Sequence, residues 1–256
     1  FMSLHSNAAE YRIGFSQVTT TEPWRVLFNK QLRKAVKQHK NVDLYIADGQ
    51  DRTEKQVADV RVFIQQKVDA ILIAPKESAG LVAVVSEAMA AGIPVIVLDR
   101  KISGDNYTQF IGGDNLAIGR QAGQAALKLL GGKGHAKGNI VEIWGGMGST
   151  PAHERHQGFA EALASEAGVK WVVERQDGDW KQDRAYDIMA TALRANKKID
   201  LVYAHNDPMA FGAALAARDA KRFKETYFLG VDAIPKEGGL WVKRGFLTAT
   251  FVYPTP

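Results

Sequence analysis

The chain of 256 residues is predicted to fold as α/β, with two doubly wound parallel-sheet lobes joined by hinge crossovers. Three features of the sequence predict it. Short β-rich runs alternate with amphipathic helical stretches from end to end. The β-rich runs are continuously apolar, as in Ala-Ile-Leu-Ile-Ala at 70–74 and Val-Ile-Val-Leu at 95–98. Strands buried on both faces between helical layers read this way. The cycle also restarts after 109–112, giving two units of similar length that fit two facing lobes better than one sheet.

The first unit opens with a strand at 11–17. A helix follows over 24–40, with Trp24, Leu27, Phe28, Leu32, Ala35 and Val36 on one face. A strand at 42–47 leads to a helix at 51–66, which Asp51 is expected to cap, with Glu54 three residues on. The strand at 69–74 ends at Pro75, the helix at 78–91 stops at Gly92, and strands at 94–98 and 109–112 follow. By default this βαβ chain is right-handed. In the second unit, helices are predicted at 115–130, 152–166, 181–195, 208–220 and 236–243. Strands lie at 139–144, 170–174, 200–204, 226–231 and 247–251. The first lobe is expected to comprise 10–113 plus 249–256, and the second 114–248. Crossovers near Gly113, across 231–236 and across 250–254 are the candidate hinges.

Composition narrows the function classes. The formal charge of +5 comes with basic clusters at Lys30, Arg33, Lys34, Lys37 and Lys40 and at Arg218, Lys221, Arg222 and Lys224. These read as solvated helix faces, because no nucleic-acid recognition motif accompanies them. The chain has no cysteine, which excludes disulfides, thiolate nucleophiles and Cys-based zinc sites. No apolar run approaches the length of a membrane span. Residues 1–9 are polar and unpatterned, and Phe1, Met2, Ser3 and Leu4 read as an appended remnant.

Ligands of open parallel sheets bind beyond the carboxyl ends of the strands. Those ends carry Gln17, Asp48, Asp99-Arg100, Trp144-Gly145-Gly146, Asp177-Gly178-Asp179-Trp180, His205-Asn206-Asp207 and Asp232. Tryptophans recur there beside planar polar groups. A sugar suits this mixture, since its hydroxyls both donate and accept while its C–H faces lie flat on an aromatic ring. Asp, Asn and Gly after a strand also serve as turn residues and helix caps, so both readings stand.

At these positions the chain resembles the type I periplasmic sugar-binding proteins of ABC importers, and looks most like the ribose and galactofuranose binders. The resemblance runs from about Tyr11 to the end. It is carried by Phe15-Ser16-Gln17-Val18, Trp24-Arg25, Ala47-Asp48-Gly49-Gln50, Leu98-Asp99-Arg100, Glu154-Arg155, Tyr203-Ala204-His205-Asn206-Asp207-Pro208-Met209 and Gly230-Val231-Asp232. It implies that Trp24, Arg25, Asp99 and Arg100 meet the sugar from the first lobe. From the second lobe it implies Trp180 as the facing platform, Asn206 as an amide clamp and Asp232 as a carboxylate near the hinge. The alternatives are Trp24 as core, Asp99 and Arg100 as an ion pair or turn, and Asn206 as the cap of the 208–220 helix. His153 and Tyr253 stand where the ribose binder has an arginine and a glutamine, pointing away from plain ribose. Arg155 matches a family arginine, ligand-facing or structural. The family continues past the last crossover, so the C-terminal part of its fold is expected to be truncated here.

The function expected is an extracytoplasmic, periplasmic monosaccharide-binding protein that delivers sugar to the membrane permease of an ABC importer by lobe closure. The alternative is the sensor domain of a membrane signalling receptor. A monomer is expected, with no cofactor, no metal, no catalytic residue and no nucleic-acid partner. The loop at 131–138 has neither Walker A nor dinucleotide-fingerprint spacing, and no nucleophile elbow or His-Glu-x-x-His pattern occurs. His153 and His156, one helical turn apart, read as a surface pair. Asp177, Asp179 and Asp183 lack the glycine and terminal glutamate of a calcium loop, and Asp179 is read as a helix cap.

Overall fold

Parallel strands need crossovers, and this chain supplies them within two units that divide after Gly112. The structure, a computed structural model, describes residues 10–255; the readings placed on 1–9 and on Pro256 lie outside the described residues.

The first unit runs β1 (Tyr11–Gln17), α1 (Pro23–Val36), β2 (Val42–Asp48), α2 (Thr53–Gln65), β3 (Ala70–Ala74), α3 (Val82–Ala90), β4 (Val95–Leu98) and β5 (Gln109–Ile111). The strands form one parallel sheet in the order β2-β1-β3-β4-β5. Ile71, Ile73, Val95 and Val97 are buried with Phe63, Val84 and Val85, as their apolar runs require. Pro23 opens α1, where a missing N–H costs nothing. The helix stops at Val36, short of the 40 expected, because the basic stretch after it turns back through His39 and Asn41 towards β2 and β1. Asp51 does not cap α2. Gln50 and Asp51 both adopt left-handed backbone (φ 52° and 57°), so helical geometry begins only at Thr53. The Asp51 carboxylate instead accepts from Lys76 Nζ at 2.7 Å.

The second unit runs α4 (Asn115–Leu129), β6 (Lys137–Trp144), α5 (Thr150–Leu163), β7 (Gly168–Asp177), α6 (Gln182–Ala195), β8 (Leu201–Ala204), α7 (Asp207–Asp219), β9 (Tyr227–Asp232), α8 (Gly238–Lys243) and β10 (Ala249–Val252). Its sheet order is β7-β6-β8-β9-β10, the same winding as the first. Val141 and Ile143 face a core with Met189, Met209, Ala213 and Phe228. Glu142 lies on β6 between those two, and its carboxylate meets His156 of α5 and Trp171 of β7. Two expectations change here. Residues 249–252 were placed with the first lobe, yet β10 pairs with β9, Thr250 opposite Gly230, so 249–254 belong to the second unit. A strand joins whichever open edge satisfies its backbone donors and acceptors, and local pattern does not encode that edge. Asp179 does not cap α6 either. It sits at φ 48°, pairs with Lys181 at 2.7 Å, and leaves the cap position to Lys181.

Candidate functional site

In a sheet wound 2-1-3-4-5 the switch point lies between the first and third strands, at their carboxyl ends. In the first unit that is the end of β1 and β3, and Trp24, Arg25, Asp99 and Arg100 form one cluster. Arg25 Nη2 donates to Asp99 Oδ2 at 2.5 Å, and Arg100 Nε lies 3.7 Å from the same oxygen. All three are at least 94% buried, with exposures of 3%, 6% and 4%. Buried charges of this kind persist only when paired and hydrogen-bonded. Arg100 Nη1 also donates to the carbonyls of Pro75 and Lys76, at 3.4 and 3.3 Å. The Arg25 guanidinium rests 4.8 Å from the Trp24 ring centre, and Trp24 in turn packs on Phe28. Trp24 is therefore both a core residue and the base of the charged cluster. Gln17 and Asp48 are spent on local structure: Gln17 Nε2 donates to Asn29, and Asp48 accepts from Thr20 and from the Gln50 amide.

Glu22 completes this cluster and was missed from the sequence. Its carboxylate is 3.9 Å from Arg25 Nε. Burial pushes its pKa upward, against the pull of Arg25 and Arg100. The signal was an acid directly before Pro23-Trp24-Arg25 at the helix entry.

In the second unit the corresponding end of β6 and β8 gathers Arg155, Trp180, Asn206 and Tyr253. The Arg155 guanidinium lies 4.8 Å from the Tyr253 ring centre and 5.5 Å from that of Trp180. Its Nε donates to Asn115 Oδ1 at 2.9 Å, and its Nη1 donates to the His205 carbonyl. Tyr253 Oη accepts from the Gly113 amide at 3.4 Å. Asn206 caps α7, Oδ1 accepting from the Met209 amide at 3.0 Å, while Nδ2 donates to the Trp180 carbonyl at 3.0 Å. The capping alternative thus describes one part of this amide; its second N–H and remaining lone pair are additional capacity. Asp232 ends β9, and its carbonyl accepts from the Tyr253 amide at 3.4 Å. His153 stands apart from this group. It is exposed, and its Nε2 meets the Met147 carbonyl at 2.7 Å.

Three of these candidate residues take strained backbone. Asp99 (φ 65°), Trp180 (65°) and Asp232 (115°) all take left-handed backbone that side chains disfavour. Such residues persist only where their surroundings hold them, commonly at binding sites. The turn after β9 shows how. The buried Asp207 carboxylate accepts from the Ala233 amide at 2.8 Å and so fixes the turn that carries Asp232. Burial pushes the Asp207 pKa up from 3.8 to about 7, outweighing the hydrogen bond from the Ala233 amide.

Behind the second cluster lies a polar group that the sequence reading also passed over. Glu142, fully buried on β6, accepts from His156 Nδ1 (2.9 Å), His205 Nε2 (3.1 Å) and Trp171 Nε1 (3.1 Å). Burial opposes its charge, but the bonds from His156 and His205 prevail and lower its pKa. Burial also lowers that of His205. A glutamate inside the apolar run 139–144 was the readable sign of such a network. The glycine-rich loop at 131–138 resolves differently: the Gly134 and Ala136 amides donate to the Glu166 carboxylate at 2.7 and 3.3 Å. An internal carboxylate thus occupies the donors that a phosphate would need. His153 and His156 turn to separate partners, Met147 and Glu142.

Residues 13–256 match the family described as periplasmic binding protein domain. The galactofuranose-binding protein YtfQ of Escherichia coli is 36% identical over 242 residues, covering 91% of this chain and 74% of the relative. Among solved structures, the fructose-binding periplasmic domain of a hybrid two-component system is similar with a TM-score of 0.89 and 41% identity, over 95% of this chain and 80% of that one. The binding protein of the arabinose ABC transporter of Shewanella sp. ANA-3, bound to L-arabinofuranose, gives a TM-score of 0.85 and 33% identity, over 92% and 78%.

Proposed function

The chain belongs to the family of periplasmic binding protein domains, and on that premise we propose that it binds a monosaccharide for delivery to an ABC importer. One observation carries the reading: each unit sets a guanidinium between an aromatic ring and further polar groups at its sheet's switch point. In the first unit these are Trp24, Arg25, Asp99 and Arg100. In the second they are Trp180, Arg155, Tyr253 and Asn206, with Asp232 and His153 as additional candidates.

Both sets have the chemistry of a sugar subsite. The ring faces take C–H surfaces, and the charged groups take hydroxyls as donors and acceptors. Hydrogen bonds to charged partners contribute about 1.5–3 kcal/mol each, so a few suffice for the −8 kcal/mol or so of micromolar binding. The groups are already held by one another, so little ordering cost remains at binding. The furanose ring form is favoured by the galactofuranose and arabinofuranose named for two of the relatives. A thermal-shift panel of D-ribose, L-arabinose, D-fructose and D-galactose, followed by calorimetry, tests the reading. At least one should bind at micromolar concentration, and a panel extended to furanose analogues with no binder would overturn it.

A second reading is a sensor domain of a membrane receptor, favoured by the 41% identity to a domain of a hybrid two-component system. The encoding reading frame separates the two. A secretion signal with a soluble C-terminus supports the importer subunit, and continuation into a membrane span supports the sensor. In either case the domain works in the periplasm, which cell fractionation checks.

A further inference from the structure

We propose that Glu142 is a positioning residue for the sugar-facing cluster of the second unit, acting through a neutral His205. The proposal rests on the sugar-binding reading and deepens it. Three N–H groups from three elements converge on the Glu142 carboxylate: His156 of α5, Trp171 of β7, and His205 just beyond β8. Only an acceptor with no proton of its own satisfies all three.

The bond to His205 has a directional consequence. His205 Nδ1 accepts from the Gly145 amide at 3.2 Å, so it bears no proton. The single ring proton therefore sits on Nε2 and points at Glu142. Glutamate selects this tautomer, and the tautomer in turn holds the Gly145 backbone. The position of Gly145 matters because the Trp180 indole lies on it. A Cβ there would fall 2.2 Å from the ring. His205 also accepts Arg155 through its carbonyl. Both the aromatic ring and the guanidinium of the cluster are thus supported through one residue, whose state Glu142 sets. The charged or titratable groups around His205 are Glu142, His156, Arg155 and Tyr203, and Nε2 meets the Glu142 carboxylate among them.

Replacing the carboxylate by an amide inverts the arrangement. In Glu142→Gln one oxygen is left for three donors and an N–H pair faces the others, so His205 loses its fixed Nε2 acceptor and its hold on the Gly145 amide weakens. Ring ¹⁵N shifts should report His205 as the Nε2–H tautomer in the parent and as a different tautomer in Glu142→Gln. The Gly145 amide resonance should move with it, and affinity for the sugar that the panel identifies should fall about tenfold or more. His205→Asn covers a failure of that variant to fold. Its side-chain oxygen stands near the Nδ1 position and can still accept from Gly145. It should keep sugar affinity within about threefold, whereas His205→Leu should lose as much as Glu142→Gln.

The proposal is overturned if the parent ring is protonated on Nδ1, or if His205→Asn and His205→Leu lose affinity equally. If no sugar binds the parent, the sugar reading fails by itself. The tautomer and the Gly145 resonance then still decide whether Glu142 holds this loop.

Discussion

Asp99 shows how a residue proposed to bind sugar can also be a structural one. Its carboxylate neutralises Arg25 at 2.5 Å within a site almost closed to water. Removing it leaves two buried guanidinium groups facing each other's charge. Asp99→Ala should therefore abolish sugar binding and also cost about 3–5 kcal/mol of stability, since breaking a buried pair strands its partner. Urea denaturation beside calorimetry checks both halves, and an unchanged unfolding midpoint would remove the pairing argument. Asp207 carries a pH dependence of definite sign. Its folded-state pKa is about 7 against an ordinary 3.8. The folded chain then holds a proton that the unfolded chain has released, so stability falls as pH rises through that window. Relative to Asp207→Asn, the parent should lose stability between pH 4.5 and 7.5. A difference between the two that stays flat with pH would count against this.

The pairing of α4 with α5 decides where Arg155 and His156 stand. Two glycines let these helices touch through their backbones. A Cβ on Gly119 would lie 2.2 Å from the Arg155 carbonyl oxygen, and one on Gly158 would lie 2.2 Å from that of Leu116. Alanine normally gains about 1 kcal/mol over glycine inside a helix. Here backbone cannot yield as a flexible side chain would. Gly158→Ala is therefore expected to destabilise by about 2 kcal/mol or more. It should also weaken sugar binding by displacing Arg155. A raised unfolding midpoint would show that the helices have room to part. The close approach was not legible from the sequence, because a small residue in a helix says nothing about which neighbour it admits.

Both units wind their five strands in the same order and place their guanidinium clusters at the same end of the sheet. One sugar per chain is the expected stoichiometry. Trp180→Ala should weaken binding roughly 10- to 100-fold even though Asp99 and Arg25 are untouched. Titration calorimetry showing two sugars per chain would mean that the units bind separately. At a hundred times its dissociation constant, the bound sugar should add about 2.7 kcal/mol to stability.

Alternating apolar runs and amphipathic stretches made the strands, the helices, the restart after 109–112 and the strand-end positions legible, because burial and periodicity are local properties. The resemblance pointed to the Leu-Asp-Arg and Asn-Asp-Pro-Met segments for the same reason, each motif being contiguous. Other features depended on partners far along the chain. Residues 249–252 joined the second sheet, Asp51 and Asp179 left their expected caps for lysines, and Glu142 found three donors from distant elements. A buried charge or a sheet edge is satisfied by whatever the fold brings within hydrogen-bond reach, and only three-dimensional proximity selects that partner.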